Sequence, residues 1–354
     1  MAMSPADRDH STETRLMSAA KVFIDGQHGT TGIRIASMLG GRDDVQLLEI
    51  DDARRKDPAA RAECLRAADL ALLCLPDKAA AEAVEMLDGA DTRVIDTSSE
   101  RRTHRDWVYG LPELGHGQRQ AIADSARVAN PGCYPQSFIL ALRPLIDAGV
   151  LDADCAFTVN AVSGYSGGGR SMIEAHQRAT AHGGGHSEGE GDSSVPLYLY
   201  GLQGHHKHLP EMQHFSGASA APLFVPSVEH RYCGMLVSVP LPAPWLRTRG
   251  KLLEREDVVS IWRERYGGEP LTRVLSVGES DAQMRDGRFL PLPDESIGNR
   301  LELSVYGEGQ NGLVLVGRLD NLGKGAAGNA VQCMNLMLGF EESQGLLEIN
   351  SVAA

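Results

Sequence analysis

Residues 21–25 (KVFID) form a short apolar run that leads straight into GQHGTTG, where Gly26, Gly29 and Gly32 recur every three residues. Ile33, Ala36 and Leu39 follow at helical spacing, and Gly40-Gly41 stops the pattern. A buried strand, a glycine turn and a helix, in that order, constrain the fold more than any other stretch of the chain. Free N–H groups at the start of such a helix, with the positive end of its dipole, suit a phosphate that the glycine backbone lets come close. Thr30 and Thr31 add hydroxyl donors. The G-x-x-G-x-x-G spacing alone also suits a plain tight connection; the flanking strand and helix favour a phosphate-binding turn.

The alternation continues. Residues 45–50 read as a strand ending at Asp51-Asp52. Residues 69–76 (DLALLCLP) are nearly all apolar, as expected of a parallel strand covered on both faces. Residues 93–96 read as another strand, and residues 79–87 as a helix. This predicts a doubly wound parallel sheet through about residue 130. Beyond it, residues 157–162, 222–228, 235–240, 273–277, 301–306 and 312–319 are β-rich with few helices between them. They predict a second domain on a mostly antiparallel or mixed sheet. Ala330, Val331, Met334 and Leu338 mark a final helix. Residues 1–20 read as a flexible polar arm, and the acidic, glycine-rich residues 183–194 as a mobile insertion.

At 354 residues, 42 % hydrophobic and 23 % charged, the chain has the composition of a globular protein of about two domains. Its formal charge of −13 disfavours binding to nucleic acid or to anionic membranes. The apolar runs are too short to span a bilayer, and the first twenty residues lack the apolar core of a signal peptide, so a cytoplasmic protein is expected. Six scattered cysteines without a C-x-x-C pair fit a reducing compartment.

One cysteine stands apart. Asn130-Pro131-Gly132-Cys133-Tyr134-Pro135 is a rigid turn around a thiol, and Phe138, Ile139, Leu142, Leu145 and Ile146 follow at helical spacing. Cys133 is therefore expected at a helix N-terminus, where the dipole lowers a thiol's pKa and makes a nucleophile. Pro144 is expected to kink or break that helix near its end. The other five cysteines read as small buried thiols. Three of twelve histidines cluster in GHHKHLPE, residues 204–211. His208, with Glu211 to orient it, fits an acid–base partner for the thiol, with His206 as the second choice. A metal site using His206, His208 and Glu211 or His214 is the rival reading, and no metal is expected. Asp51 or Asp52 would favour NAD through a ribose hydroxyl; Arg54, Arg55 and Lys56 would favour NADP, the preferred reading. In SGYSGGGR, residues Ser163, Gly164, Ser166, Gly167 and Arg170 suit an anion-binding nest, and Arg102 is a further phosphate candidate.

Taken together, DGQHGTTG (25–32), DTSSERRTH (96–104), YGLPEL (109–114), NPGCYP (130–135), SGYSGGGR (163–170), HKHLPEM (206–212) and DNLGKGAAGNAVQ (320–332) occur in the order found in a known family. From about residue 21 to 339 the sequence resembles the short form of the N-acetyl-γ-glutamyl-phosphate reductases, in the semialdehyde dehydrogenase group. The resemblance implies a Rossmann-type dinucleotide-binding domain over 21–132, an α+β catalytic and dimerisation domain over 133–320, and a C-terminal segment, 321–354, whose helix returns to the first domain. It implies reduction of an acyl phosphate by NADPH, with release of inorganic phosphate, through a cysteine thioester. It also assigns Leu75, Pro76, Ser98, Asn321, Gly323, Lys324 and Gly325 to the cofactor, and a homodimer or homotetramer to the assembly. A reductase of aspartyl phosphate or of a carrier-linked substrate, and a dinucleotide-binding protein without activity, are the competing expectations.

Overall fold

The computed structural model describes residues 19–54, 57–182, 197–248 and 250–347; Arg55, Lys56, the 183–194 insertion and nearly all of the N-terminal arm lie outside them. The first six strands are β1 (Ala20–Asp25), β2 (Val45–Leu48), β3 (Leu70–Leu73), β4 (Arg93–Asp96), β5 (Val108–Tyr109) and β6 (Arg127–Ala129). They form one parallel sheet in the order β2-β1-β3-β4-β6-β5. Helices α1 (Thr30–Leu39), α2 (Pro58–Ala67), α3 (Asp77–Met86) and α4 (Gln118–Asp124) connect them. Leu70, Ala71, Leu72 and Leu73 are all fully buried, which is why β3 reads as an unbroken apolar run. The strand order reverses between β1 and β3, the switch point at which an open α/β sheet takes its ligands beyond the carboxyl ends of its strands.

Helix α5 (Cys133–Asp147) leads from this sheet into the second layer. That layer is a seven-stranded mixed sheet. Its strands are β7 (Thr158–Gly164), β8 (Tyr198–Leu199), β9 (Leu223–Glu229), β10 (Met235–Leu241), β13 (Thr272–Val274), β14 (Leu301–Glu308) and β15 (Gly312–Leu319); β11 (Arg247–Thr248) and β12 (Lys251–Leu252) make a separate hairpin. The order is β13-β14-β15-β10-β7-β9-β8, with β13/β14 and β7/β9 parallel and the rest antiparallel. Among the described residues, four helices belong to this half: α6 (Gly169–His182), α7 (Leu209–Ser216), α8 (Arg255–Tyr266) and α9 (Val277–Ala282). The expectation of few helices is thus corrected. In α8, REDVVSIWRERY, the charged residues outnumber the apolar ones, yet Val258, Val259, Trp262 and Tyr266 fall on one buried face.

Helix α5 is the shared core element, with Phe138 through Leu142 buried and the helix packed against β10, β14, β15, α7 and α8. It does not break at Pro144 but runs on to Asp147. Proline has no N–H, so the Leu140 carbonyl one turn earlier loses its helical donor. The Tyr266 hydroxyl of α8 donates to that oxygen at 2.9 Å, and Trp262 Nε1 donates to the Ala141 carbonyl at 2.9 Å. Tertiary donors replace the missing backbone bond, and the helix continues.

The last helix, α10 (Gly328–Leu338), returns to the first sheet. Its Ala330, Val331, Cys333 and Met334 are fully buried beside Val22, Ile24, Leu70 and Ile95. It follows a π-turn at Gly323–Ala327, which brings the end of β15 against the start of α5. No helix among the described residues is long and apolar enough to cross a membrane.

Candidate active site

A cleft of about 310 Å³ lies where the two sheets meet. Four walls converge on it: Thr30 and Thr31 at the start of α1, Asn130 to Tyr134 at the start of α5, Ser163 to Gly169 after β7, and His206 to His208 before α7. Asn321 and Gly325 close it from the π-turn side. The residues come from both halves of the chain, so neither sheet alone builds the cleft.

The glycine turn is packed to its limit. Gly26 has φ +92°, and a Cβ there would lie 2.4 Å from the Cys74 carbonyl oxygen at the end of β3. A Cβ on Gly32 would lie 2.4 Å from the Gly26 oxygen. Only glycine allows this approach. Gly29 is the N-cap of α1, and no side chain caps that helix. Its first-turn N–H groups therefore remain free for an anion at the strand switch point, so this turn fits the pyrophosphate of a dinucleotide. Leu75 lies against the turn; Pro76 is the N-cap of α3. Ser98 is buried and donates to Asp96 Oδ2 at 2.8 Å, which engages its hydroxyl within the protein. Arg54 is exposed and paired with Asp57 at 3.1 Å, while Asp51 accepts from the Ala53 N–H at 2.8 Å.

Cys133 is the first residue of α5, with Gly132 as N-cap. The expected low pKa does not follow. Burial pushes the thiol up to about 11, against the opposing pull of Arg102 and the Tyr134 N–H. At neutral pH the free site holds a thiol, and a neighbouring base is needed to take its proton. His208 is buried next to it. A Cβ on Gly132 would lie 2.6 Å from His208 Nε2 and 2.7 Å from Arg102 Nη1, so both groups press on the residue before the nucleophile. Burial, with Arg102 adding to it, holds His208 well below its ordinary 6.5, and burial with Lys207 lowers His206 to about 4. Both imidazoles are neutral at pH 7. The backbone N–H of His208 donates to His206 Nδ1 at 3.1 Å, and the two rings meet edge to face at 4.6 Å.

Glu211 does not orient His208, contrary to the sequence expectation. Its Oε1 accepts from Arg102 Nη1 at 2.7 Å; its Oε2 accepts from the Tyr109 hydroxyl at 2.7 Å and from the Gly132 N–H at 3.0 Å. Two helix positions separate Glu211 from the imidazole in sequence, but α7 turns the carboxylate inward onto Arg102. Arg102 also donates through Nε to the Asn130 carbonyl at 3.0 Å and through Nη2 to that of Thr97 at 3.2 Å. Both oxygens of Glu211 are thus committed to these donors. Among the described residues no group of three or more His, Cys, Asp or Glu is placed to hold a metal ion.

The expected nest at the end of β7 is divided, and its Gly164, Tyr165 and Ser166 N–H groups donate to the carbonyls of Gly234, Arg231 and Tyr232 instead of facing an anion. Ser163, Gly164, Ser166 and Gly167 line the cleft. Ser166 Oγ accepts from Asn321 Nδ2 at 2.9 Å, and Asn321 Oδ1 accepts from the Gly234 N–H at 2.9 Å, so Asn321 braces the nest. Arg170 leaves it: the side chain is exposed and paired with Glu174 on α6 at 2.8 Å. Of the four residues assigned to the cofactor at 321–325, Asn321 and Gly325 border the cleft, but Gly323 packs against Gly298 and Asn299, and Lys324 is fully buried on Glu113. Sequence reasoning missed Tyr109 and Asn130, though both sit inside quoted motifs. It also missed Tyr200, whose hydroxyl donates to that of Tyr134 at 2.9 Å and which carried no local signal.

Comparison with known proteins agrees with this architecture. Residues 31–124 match the family model described as semialdehyde dehydrogenase, NAD binding domain, and residues 133–321 match that described as semialdehyde dehydrogenase, dimerisation domain. The chain is 43 % identical over 332 residues to N-acetyl-gamma-glutamyl-phosphate reductase 2 of Nostoc sp., covering 93 % of this chain and 100 % of that one. It is 46 % identical over 322 residues to N-acetyl-gamma-glutamyl-phosphate reductase of Brucella anthropi, covering 90 % and 98 %. Aspartate semialdehyde dehydrogenase II from Vibrio cholerae shares the fold, with a TM-score of 0.65 at 17 % identity over 91 % of this chain and 99 % of that one. The aspartate semialdehyde dehydrogenase from Candida albicans does so with a TM-score of 0.58 at 12 % identity, over 91 % and 99 %. The thiol at the start of α5, the paired histidines and the glycine turn over a parallel sheet thus stand in a chain that belongs to the N-acetyl-γ-glutamyl-phosphate reductases of the semialdehyde dehydrogenase family.

Proposed function

We propose that the cleft reduces N-acetyl-γ-glutamyl phosphate to N-acetylglutamate 5-semialdehyde with NADPH, releasing phosphate, as a cytoplasmic step of arginine biosynthesis. The observation that carries this reading is the convergence of Cys133, His208 and Arg102 from three separate segments on one point beside the glycine turn. His208, neutral and buried, takes the thiol proton as Cys133 Sγ attacks the acyl carbon. The new C–S bond forms, the C–O bond to phosphate breaks, and a thioester remains on Cys133. Arg102, which lines the cleft, favours the departing anion. A reduced dinucleotide held by its pyrophosphate at the glycine turn would supply the hydride that converts the thioester to a thiohemiacetal. His208 then returns its proton to the oxyanion of the thiohemiacetal on Cys133. Collapse of that adduct breaks the C–S bond, frees the aldehyde and restores the thiol.

The preference for NADP rests on Arg54 in the connection between β2 and α2, where a cation suits a ribose phosphate. A homodimer or homotetramer is supported by the mixed sheet's second face. Alternate residues of β7 and β10, including Asn160, Val162, Leu236 and Ser238, stay at least partly exposed there. The test runs the reaction backwards, with N-acetylglutamate 5-semialdehyde, phosphate and NADP or NAD, followed at the absorbance of the reduced nicotinamide. Phosphate-dependent reduction of NADP that vanishes in Cys133→Ser supports the reading. No signal from folded protein, or a signal only with aspartate semialdehyde, rejects it.

A further inference from the structure

Lys324 is a fully buried cation whose three N–H bonds are all used: Nζ donates to Glu113 Oε1 at 2.8 Å, to Asn329 Oδ1 at 3.0 Å and to Gln332 Oε1 at 2.5 Å. Burial alone would raise the Glu113 carboxyl, but the ammonium holds it below its ordinary range. A buried ion pair of this kind is poor evidence of stability, because desolvation offsets the attraction. Its directional consequence is clearer. An ammonium can only donate, so it fixes Asn329 with its oxygen toward Lys324 and its amino group away. Asn329 Nδ2 then donates to Asn130 Oδ1 at 2.8 Å and to the Gly110 carbonyl at 2.6 Å. That contact in turn fixes Asn130, whose Nδ2 donates to the Ala326 carbonyl at 3.1 Å. The chain of donors closes a ring on the π-turn that carries Lys324.

The ring encloses the nucleophile's approach. Asn130 is three residues before Cys133 and is held on every polar atom, since its N–H also donates to the Asp96 carbonyl and its own carbonyl accepts from Arg102. Between Lys324 and Ala326 lies Gly325, where an added Cβ would meet Cys133 Cβ at 2.9 Å. The π-turn is therefore the floor against which Cys133 rests. We propose that Lys324 is a positioning residue for Cys133, acting through Asn329, Asn130 and the π-turn, and is not a cofactor ligand. The proposal rests on Cys133 being the nucleophile.

The test uses the full-length chain in two variants, Lys324→Met and Asn329→Leu. The second leaves the Lys324–Glu113 pair in place and cuts only the relay, so it remains informative if the first fails to fold. Three readouts are taken on folded protein: kcat, KM for the dinucleotide, and the second-order rate of Cys133 alkylation by iodoacetamide in the free enzyme. A misplaced nucleophile is expected to lower kcat about a hundredfold. The alkylation rate should change in the same variants, with KM for the dinucleotide held and kcat restored in part by Lys324→Arg. A raised KM for the dinucleotide at unchanged kcat and alkylation rate would overturn the proposal in favour of a cofactor contact. Wild-type kcat and alkylation in Asn329→Leu would overturn it outright. If alkylating Cys133 in the parent leaves activity intact, the nucleophile assignment itself fails, which is a separate outcome.

Discussion

Arg102 Nη1 lies 2.7 Å from Glu211 Oε1, and the other oxygen of that carboxylate accepts from the N–H of Gly132, one residue before Cys133. The pair joins the first domain to α7 across the cleft and fixes the cation next to the thiol. Both side chains are buried, so neither can turn to water if its partner is removed.

Replacing Glu211 alone should therefore be costly. Glu211→Gln leaves a buried guanidinium without its counter-charge, an effect on the order of 3 kcal/mol. Urea unfolding should show a lower midpoint with an unchanged slope. The double variant Arg102→Met, Glu211→Leu should recover most of that stability while remaining inactive. Equal activity in Glu211→Gln and the parent would refute the role given to this pair.

The glycine turn makes a sharper steric prediction. In Gly26→Ala the new methyl meets the Cys74 carbonyl at 2.4 Å in a backbone conformation that alanine resists. Dinucleotide binding, measured by calorimetry, should be lost or reduced by at least about tenfold. Gly40→Ala, at the far end of the same helix, meets nothing closer than 3.3 Å and should bind normally.

Two titrations carry opposite signs. Cys133 is raised by burial from 9.0 to about 11, so its alkylation rate should keep climbing from pH 7 to above pH 9 without a neutral plateau. The folded state holds this proton more tightly than the unfolded chain, so the thiol's contribution to stability declines as pH rises from 9 to 11. His206 is lowered by burial from 6.5 to about 4, so the unfolded chain takes up a proton first. Its contribution to stability is full above pH 6.5 and is lost as pH falls toward 4. His206→Gln should flatten the acid limb of a stability–pH curve; an unchanged limb would contradict the assignment.

Tyr266 substitutes for the backbone donor that Pro144 lacks. Tyr266→Phe leaves the Leu140 carbonyl buried and unpaired, at a cost of about 1–3 kcal/mol. Pro144→Ala restores the backbone donor, so the double variant should lose less than Tyr266→Phe alone. Thermal unfolding of the four proteins decides this.

Local pattern and tertiary packing contributed different things. Strand, glycine turn and helix at 20–39, the apolar run of β3, and Cys133 at the head of an apolar helix were all legible, because each depends on neighbours in sequence. Periodicity and turn chemistry act over a few residues, and a glycine spaced to meet a strand end carries its reason with it. The order of the motifs along the chain was enough to indicate the family. The partners of the charged side chains were not legible. Glu211 three positions after His208 looked like its orienting group, but Arg102, 109 residues away, claimed the carboxylate once α7 docked. Lys324 stood among the residues that the resemblance assigned to the cofactor, and burial against Glu113, 211 residues away, withdrew it from the cleft. Arg170 stood inside an anion motif and turned to Glu174 on its own helix. The thiol's direction of shift reversed for the same reason, since a helix N-terminus is a local property and desolvation is a property of the whole packed cleft. Sequence determines which elements form and which groups are available to react. Long-range packing decides which donor meets which acceptor, because a buried polar group takes the partner that the fold brings within 3 Å, however near its sequence neighbours lie.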